Sequence, residues 1–143
     1  MIDIHSHILN NIDDGSKDIE MSISMLKKAE LSGTTDIIAT PHFMRGRFEV
    51  EYNEVLNRVE NLKKISRDNN IDINIYAGQE VYYSRNILEY YSDKMIGTIN
   101  NTRYMLIELP MLEFDINEVI NNIYELQIRG ITPIIAHPER YKI

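Results

Sequence analysis

His5 and His7 stand two residues apart at the end of an apolar run that opens the chain, Met1-Ile2-Asp3-Ile4-His5-Ser6-His7. Side chains at i and i+2 of a strand lie on one face, so the two imidazoles can point the same way and grip one cation. A single pair of this kind is as readily a polar strand end. The chain has four histidines in all, however, and the other two follow the same pattern. His42 closes the run Asp36-Ile37-Ile38-Ala39-Thr40-Pro41, and His137 closes Thr132-Pro133-Ile134-Ile135-Ala136. Glu80 and Glu108 follow two further apolar runs, Ile73 to Ala77 and Tyr104 to Ile107. Each of these residues taken alone reads as a satisfied loop residue or a solvated strand end, and Asp14, just before Gly15, reads as an Asx-turn. Their joint placement argues for one multinuclear site for divalent cations such as manganese, iron or zinc. Carboxylates belong in such a site because they can bridge two cations and offset charge that neutral imidazoles cannot.

These side chains can meet only if the runs they terminate are neighbouring strands. The segments between them read as helices. Asp18 is placed to cap a helix carrying Ile19, Ile23, Leu26 and Ala29 at helical spacing, with Gly33 as its stop. A longer helix is expected from about Glu51 to Asp68, with Val55, Val59 and Leu62 as its inner stripe. A short helical or irregular stretch falls around Ile87 to Tyr91, and a last helix points Ile116, Val119, Ile120, Ile123 and Leu126 inward before Gly130. Strands alternating with helices imply a parallel sheet with right-handed crossovers. The nearly continuous apolar character of the strands suits a sheet buried on both faces. In such folds chemistry collects at the carboxyl ends of strands, which is where the histidines and glutamates fall.

Composition narrows the function. With 143 residues and 43% hydrophobic content the chain reads as one domain over residues 1–143 with a core of its own. The absence of cysteine excludes a disulfide framework, a thiolate metal site and a cysteine nucleophile. A net charge of −7 argues against broad nucleic-acid or anionic-membrane binding. No stretch reads as a signal peptide or a spanning helix, so a cytoplasmic location is the expectation. A glycine-rich phosphate loop and a serine nucleophile elbow are also absent. Arg45 and Arg47, beside His42, read as a solvated loop that could border a substrate, and the tyrosines at 82, 83, 90 and 91 read first as packing residues, with the border of a substrate pocket as the alternative.

The motifs together resemble the polymerase and histidinol phosphatase (PHP) superfamily, and within it the tyrosine-protein phosphatases of Gram-positive capsule and exopolysaccharide clusters. The resemblance runs through Met1 to His7, Asp13-Asp14-Gly15, Ala39-Thr40-Pro41-His42, Gly78-Gln79-Glu80, Leu106-Ile107-Glu108 and Ile135-Ala136-His137-Pro138-Glu139-Arg140. It implies a distorted TIM-like (β/α)7 barrel, of which this chain covers about the first five strands, and a centre of three divalent ions. Manganese is the usual metal, with iron, zinc or magnesium as the other candidates. By matching positions, His5 and His7 would bind one metal, Glu80 would bridge two, and His42, Glu108, His137 and Asp14 would complete the set. Arg140 matches an arginine that contacts the substrate phosphate. The implied substrate is the phosphotyrosine tail of a bacterial tyrosine kinase that governs polysaccharide synthesis, and the implied nucleophile is water activated by the metals.

The chain departs from that pattern at its end. It stops just past the fifth expected strand, whereas a (β/α) barrel runs to roughly 200 residues or more, and the later strands of the family carry an Asp-x-His pair and a second substrate arginine. A truncated domain, or a homo-oligomer in which a second copy supplies the missing wall, is therefore expected. Two alternatives stand beside the tyrosine phosphatase: a small-molecule phosphoesterase of the histidinol-phosphatase type, and an inactive fragment that binds metal or a partner.

Overall fold

The structure, a computed structural model, describes residues 1–141. It contains seven strands and four α-helices, in chain order β1 (Ile2–Ser6), α1 (Ile19–Leu31), β2 (Asp36–Ala39), β3 (His42–Phe43), α2 (Tyr52–Asp68), β4 (Asn74–Ala77), β5 (Glu80–Tyr82), α3 (Ile87–Ser92), β6 (Tyr104–Glu108), α4 (Ile116–Ile128) and β7 (Thr132–Ile135). Single 3-10 turns cover Ile99–Asn101 and Pro138–Arg140. The strands form two sheets, ordered β1-β2-β4 and β3-β5-β6-β7, in which every strand pair is parallel. The fold is thus mixed α/β with parallel sheets.

Two of the expected strands are bent into pieces that serve different sheets. Residues 36–43 break at Thr40-Pro41, because proline has no N–H for the ladder, and pairing resumes at His42. Residues 74–82 break in step at Gly78-Gln79. The Gly78 N–H still donates to Ala39 O at 2.9 Å and the Glu80 N–H to Pro41 O at 2.9 Å, so the two bends lie side by side. The Gln79 side chain fixes the second bend from beneath: its Oε1 accepts from the Gly97 N–H at 2.8 Å and its Nε2 donates to Val50 O at 3.2 Å.

Helices cover one face of each sheet. Leu26 of α1 and Val55, Val59 and Leu62 of α2 close over Ile37 and Ile75, and Val119 and Leu126 of α4 pack with Val81, Met105 and Ile107. Asp18 caps α1 as expected, its carboxylate accepting from the Met21 N–H at 2.7 Å, and Asp115 does the same for α4. The expectation of strands buried on both faces fails at β1, where Ile2 is 65% and Ile4 42% exposed. The expected inner face of α4 also fails in part: Ile116 and Ile120 are exposed, and with Tyr124 and Ile128 they form an open apolar stripe at i, i+4 spacing. Among the described residues no helix is long and apolar enough to cross a membrane.

Candidate metal centre

Parallel pairing brings these side chains together in register, His42 and Glu80 at the first residues of β3 and β5 and Glu108 at the last of β6. His42 is the partner of Glu80 across β3 and β5, Glu80 of Leu106 across β5 and β6, and Tyr82 of Glu108. Glu80 and Glu108 therefore reach the same face from neighbouring strands. His5 and His7 arrive from β1, whose pairing with β2 is irregular between Asp3 and Ser6, and His137 arrives just beyond β7 in a left-handed conformation, φ 32°. A non-glycine residue in that region marks a locally constrained site.

Glu80 is the hub. Its side chain is 1% exposed, and its Oε2 lies 2.9 Å from His5 Nε2, 3.1 Å from His7 Nε2 and 3.3 Å from His42 Nδ1. Its Oε1 lies 3.0 Å from His137 Nε2. One carboxylate thus touches all four imidazoles. Glu108 adds Oε2 at 3.3 Å from His137 and Oε1 at 3.6 Å from His42, and Asp14 Oδ1 stands 3.3 Å from His42 Nε2. The structure therefore brings together all seven residues picked out as candidate ligands.

Asp13 is the residue the sequence reading missed. Its carboxylate is fully buried and accepts from His7 Nδ1 at 3.1 Å, from the His42 N–H at 3.0 Å and from the Gly15 N–H at 2.9 Å. The Asx contact expected of Asp14 belongs to Asp13, which leaves the Asp14 carboxylate free to face His42. Gly15 is required here for space: a Cβ would fall 2.5 Å from both the Cβ and the carbonyl oxygen of His7.

The electrostatics follow from the crowding. Burial alone would depress the pKa of His7, but hydrogen bonds to Asp13 and Glu80 overcome it and push the value up to about 10. His42 is raised too, against its own burial, by Glu108 and Glu80. Burial would raise Glu80 and Asp13, yet hydrogen bonds from the histidines, with backbone N–H donors at Asp13, hold both below the usual carboxylate range. Among the described residues two buried imidazole nitrogens find no hydrogen-bond partner: His137 Nδ1, and His42 Nδ1, which meets Glu80 only as an ion-pair contact at 3.3 Å. Among the described residues three sets of donor atoms are compact enough to hold an ion: His7, Asp13, Asp14 and His42; His5, His7 and Glu80; and His42, Glu80 and Glu108. A nitrogen and oxygen donor set with orphaned buried imidazole nitrogens fits divalent transition metals.

The cluster floors a cavity of about 510 Å³ whose wall includes Met44, Arg47, Phe48 and Arg140. Arg140 is exposed on the 3-10 turn after His137. Arg45 turns away to Glu49, 3.3 Å from Nε. Tyr82, Tyr83, Tyr90 and Tyr91 stand outside the cavity wall; Tyr83 is buried, with its hydroxyl 3.2 Å from Glu118 and 2.8 Å from Asn122. Phe48, which stacks on His42 with ring centroids 5.6 Å apart, was not singled out from the sequence.

A parallel α/β fold whose strand ends carry a histidine and carboxylate cluster defines the general class: a candidate metal-centre protein. A family model described as capsular polysaccharide synthesis, CpsB/CapC, matches residues 1–143, and the chain belongs to that family. It is 42% identical over 144 residues to the putative tyrosine-protein phosphatase CapC of Staphylococcus aureus, covering 99% of this chain and 55% of that protein. It is 36% identical over 141 residues to the tyrosine-protein phosphatase CpsB of Streptococcus pneumoniae, with 99% and 58% covered, and 37% identical over 142 residues to the tyrosine-protein phosphatase YwqE of Bacillus subtilis, with 98% and 55% covered. A solved structure from a crystallographic description of YwqE from Bacillus subtilis and CpsB from Streptococcus pneumoniae, described there as metal-dependent tyrosine phosphatases, superposes with a TM-score of 0.93 at 35% identity. That superposition covers 99% of this chain and 57% of the other. The chain spans a little over half the length of the curated relatives it matches.

Proposed function

We propose that this chain is the metal-binding part of a protein-tyrosine phosphatase that hydrolyses phosphotyrosine on a bacterial tyrosine kinase and so regulates capsular or extracellular polysaccharide synthesis. The observation that carries the proposal is the contact of the single buried carboxylate of Glu80 with all four imidazoles beneath a cavity walled by Arg140. The names of the relatives supply the substrate class. Location in the cytoplasm goes with it, since a tyrosine kinase draws its phosphate from cytoplasmic nucleotide. A distorted barrel is the architecture proposed: β2 leads into β3 and β4 into β5, so the strands follow one another in chain order across both sheets. Self-association, in which a second copy supplies the missing wall of the site, is part of the same reading, with sedimentation velocity as its test.

His5, His7, Asp14, His42, Glu80, Glu108 and His137 are the proposed ligands, with manganese as the first candidate metal and three ions as the proposed count. When bound, divalent cations supply the Lewis acidity that activates water for attack on phosphorus. The chain's own residues do the rest. Asp13 fixes the tautomer and plane of His7 by accepting from Nδ1, which leaves Nε2 to face the cluster. The bend at Thr40-Pro41 and the N–H bond of His42 to Asp13 aim His42 inward. Arg140 meets the phosphoryl oxygens from the cavity wall as their charge redistributes, which is most of what phosphoryl transfer asks of a protein. A phenolate leaving group, pKa about 10, departs without strong help from a general acid.

The test is turnover of a phosphotyrosine peptide by the purified chain with and without manganese. Metal-dependent hydrolysis that is lost in His42→Ala supports the proposal, and hydrolysis indifferent to both metal and His42 overturns it.

A further inference from the structure

We infer that Arg47 is a specificity residue which receives an acidic group of the peptide beside the phosphotyrosine, while the phosphoryl group itself goes to Arg140 and the histidine cluster. The inference rests on the phosphotyrosine reading of the cavity. Its basis is the tight turn between β3 and α2. The Met44 N–H donates to Phe48 O at 2.7 Å and the Phe48 N–H to Met44 O at 2.8 Å, with Gly46 at φ +86° between them. This closed turn holds two arginines in different states. Arg45 is committed, with Glu49 3.3 Å away and its guanidinium 5.7 Å from the ring centroid of Tyr90. Arg47 has no carboxylate within ion-pair distance among the described residues; its guanidinium rests 4.9 Å above the ring of Phe48.

That ring ties the turn to the cluster. Phe48 stacks on His42 at 5.6 Å with an interplanar angle of 20°, and His42 stacks on His7 at 4.5 Å and 21°. Arg47 therefore stands on the cavity wall, exposed, with its guanidinium on the aromatic ring that stacks on His42, and so held in a fixed relation to the cluster. A guanidinium presents a planar fork that matches a carboxylate or a second phosphate. On a chain whose formal net charge is −7, an exposed guanidinium on the cavity wall is a local point of attraction for an acidic group.

The experiment uses the manganese-loaded chain and peptides carrying a non-hydrolysable phosphonate analogue of phosphotyrosine, flanked by alanine, by aspartate or by a second phosphotyrosine. Fluorescence anisotropy should show tighter binding of the acid-flanked peptides by about three- to tenfold. Comparing the aspartate and phosphotyrosine flanks identifies the preferred source of charge. Arg47→Met should abolish the preference while leaving manganese content and affinity for the alanine-flanked peptide unchanged. Arg47→Lys should restore part of it, and Arg45→Met should keep it whole. A preference that survives Arg47→Met, or equal binding of all peptides by the unaltered chain, overturns the inference and leaves the phosphatase reading standing. If the unaltered chain binds no phosphonate peptide at all, the phosphatase reading fails and the inference fails with it.

Discussion

Asp13 Oδ2 lies 3.1 Å from His7 Nδ1, and the same oxygen accepts the backbone N–H of His42 at 3.0 Å. One carboxylate thus orients one imidazole through its ring and a second through its main chain. Asp13→Asn keeps the shape but removes the charge and presents an N–H where an acceptor is needed. Metal affinity should fall by about 10- to 100-fold, the usual cost of losing such a partner. Isothermal titration with manganese measures it, and an unchanged affinity would show that His7 is held by something else.

The same contacts set a pH dependence for the metal-free chain. His7 is raised from 6.5 to about 10. Its contribution is therefore complete below pH 6.5 and is lost as pH rises through about 10. Glu80 and Asp13 are shifted the other way, from ordinary values of 4.5 and 3.8. Their contribution is present above those values and is lost as pH falls further. Thermal unfolding in chelator should accordingly show greatest stability between about pH 4.5 and 6.5 and a decline toward pH 10. Saturating manganese, which takes the place of the protons, should remove the alkaline decline. A metal-free chain that grows more stable from pH 7 to 10 would contradict the assigned contacts.

Gly15 gives a steric test of the same corner. A methyl group there cannot coexist with His7 in its present place, since the added carbon would meet both the side chain and the main chain of that residue at 2.5 Å. Gly15→Ala should displace the loop, lowering stability by about 1–3 kcal/mol and weakening manganese binding at the same time. Circular dichroism melts and metal titration read the two effects; a variant with native melting and native metal affinity would mean that the loop moves freely.

The role proposed for Arg140 separates substrate recognition from metal binding. Arg140 lines the cavity, and a guanidinium, which only donates hydrogen bonds, is no ligand for a cation. Arg140→Ala should reduce kcat/KM for a phosphotyrosine peptide by about 10²-fold, as removal of a charge-stabilising donor does, while metal content by elemental analysis stays at the unaltered level.

How far these features were legible in the sequence follows from the kind of interaction that makes each one. The apolar runs led to all four histidines and both glutamates, but not as strand ends throughout: His42 and Glu80 open β3 and β5, just past the bends, where the sequence reads the preceding runs as finished. The choice between Asp13 and Asp14 was not legible: either aspartate can close an Asx-turn before Gly15, and only the position of His7 across the loop decides between them. The bends at Thr40-Pro41 and Gly78-Gln79 were hidden for a related reason. A proline in a run reads as an end, whereas here the strand resumes because Gln79 and the neighbouring backbone hold both bends together. Phe48 was passed over because stacking on His42 is a contact across a turn, without periodicity to announce it.

Glu80 is the residue on which the whole centre converges, and its replacement distinguishes a hub from one ligand among several. Glu80→Gln preserves volume in a place that is 1% exposed and removes the one anion shared by His5, His7, His42 and His137. In the metal-free chain the loss leaves those imidazoles without their common partner, and breaking a buried ionic contact of this kind costs about 3–5 kcal/mol. In the loaded chain a neutral amide would not offset the charge of a cation held there. Elemental analysis should therefore show a drop in manganese per chain larger than that of Glu108→Gln, which removes contacts to His42 and His137 alone. Equal losses in the two variants would mean that the carboxylates act as independent ligands, and the centre would have to be redrawn without a shared hub.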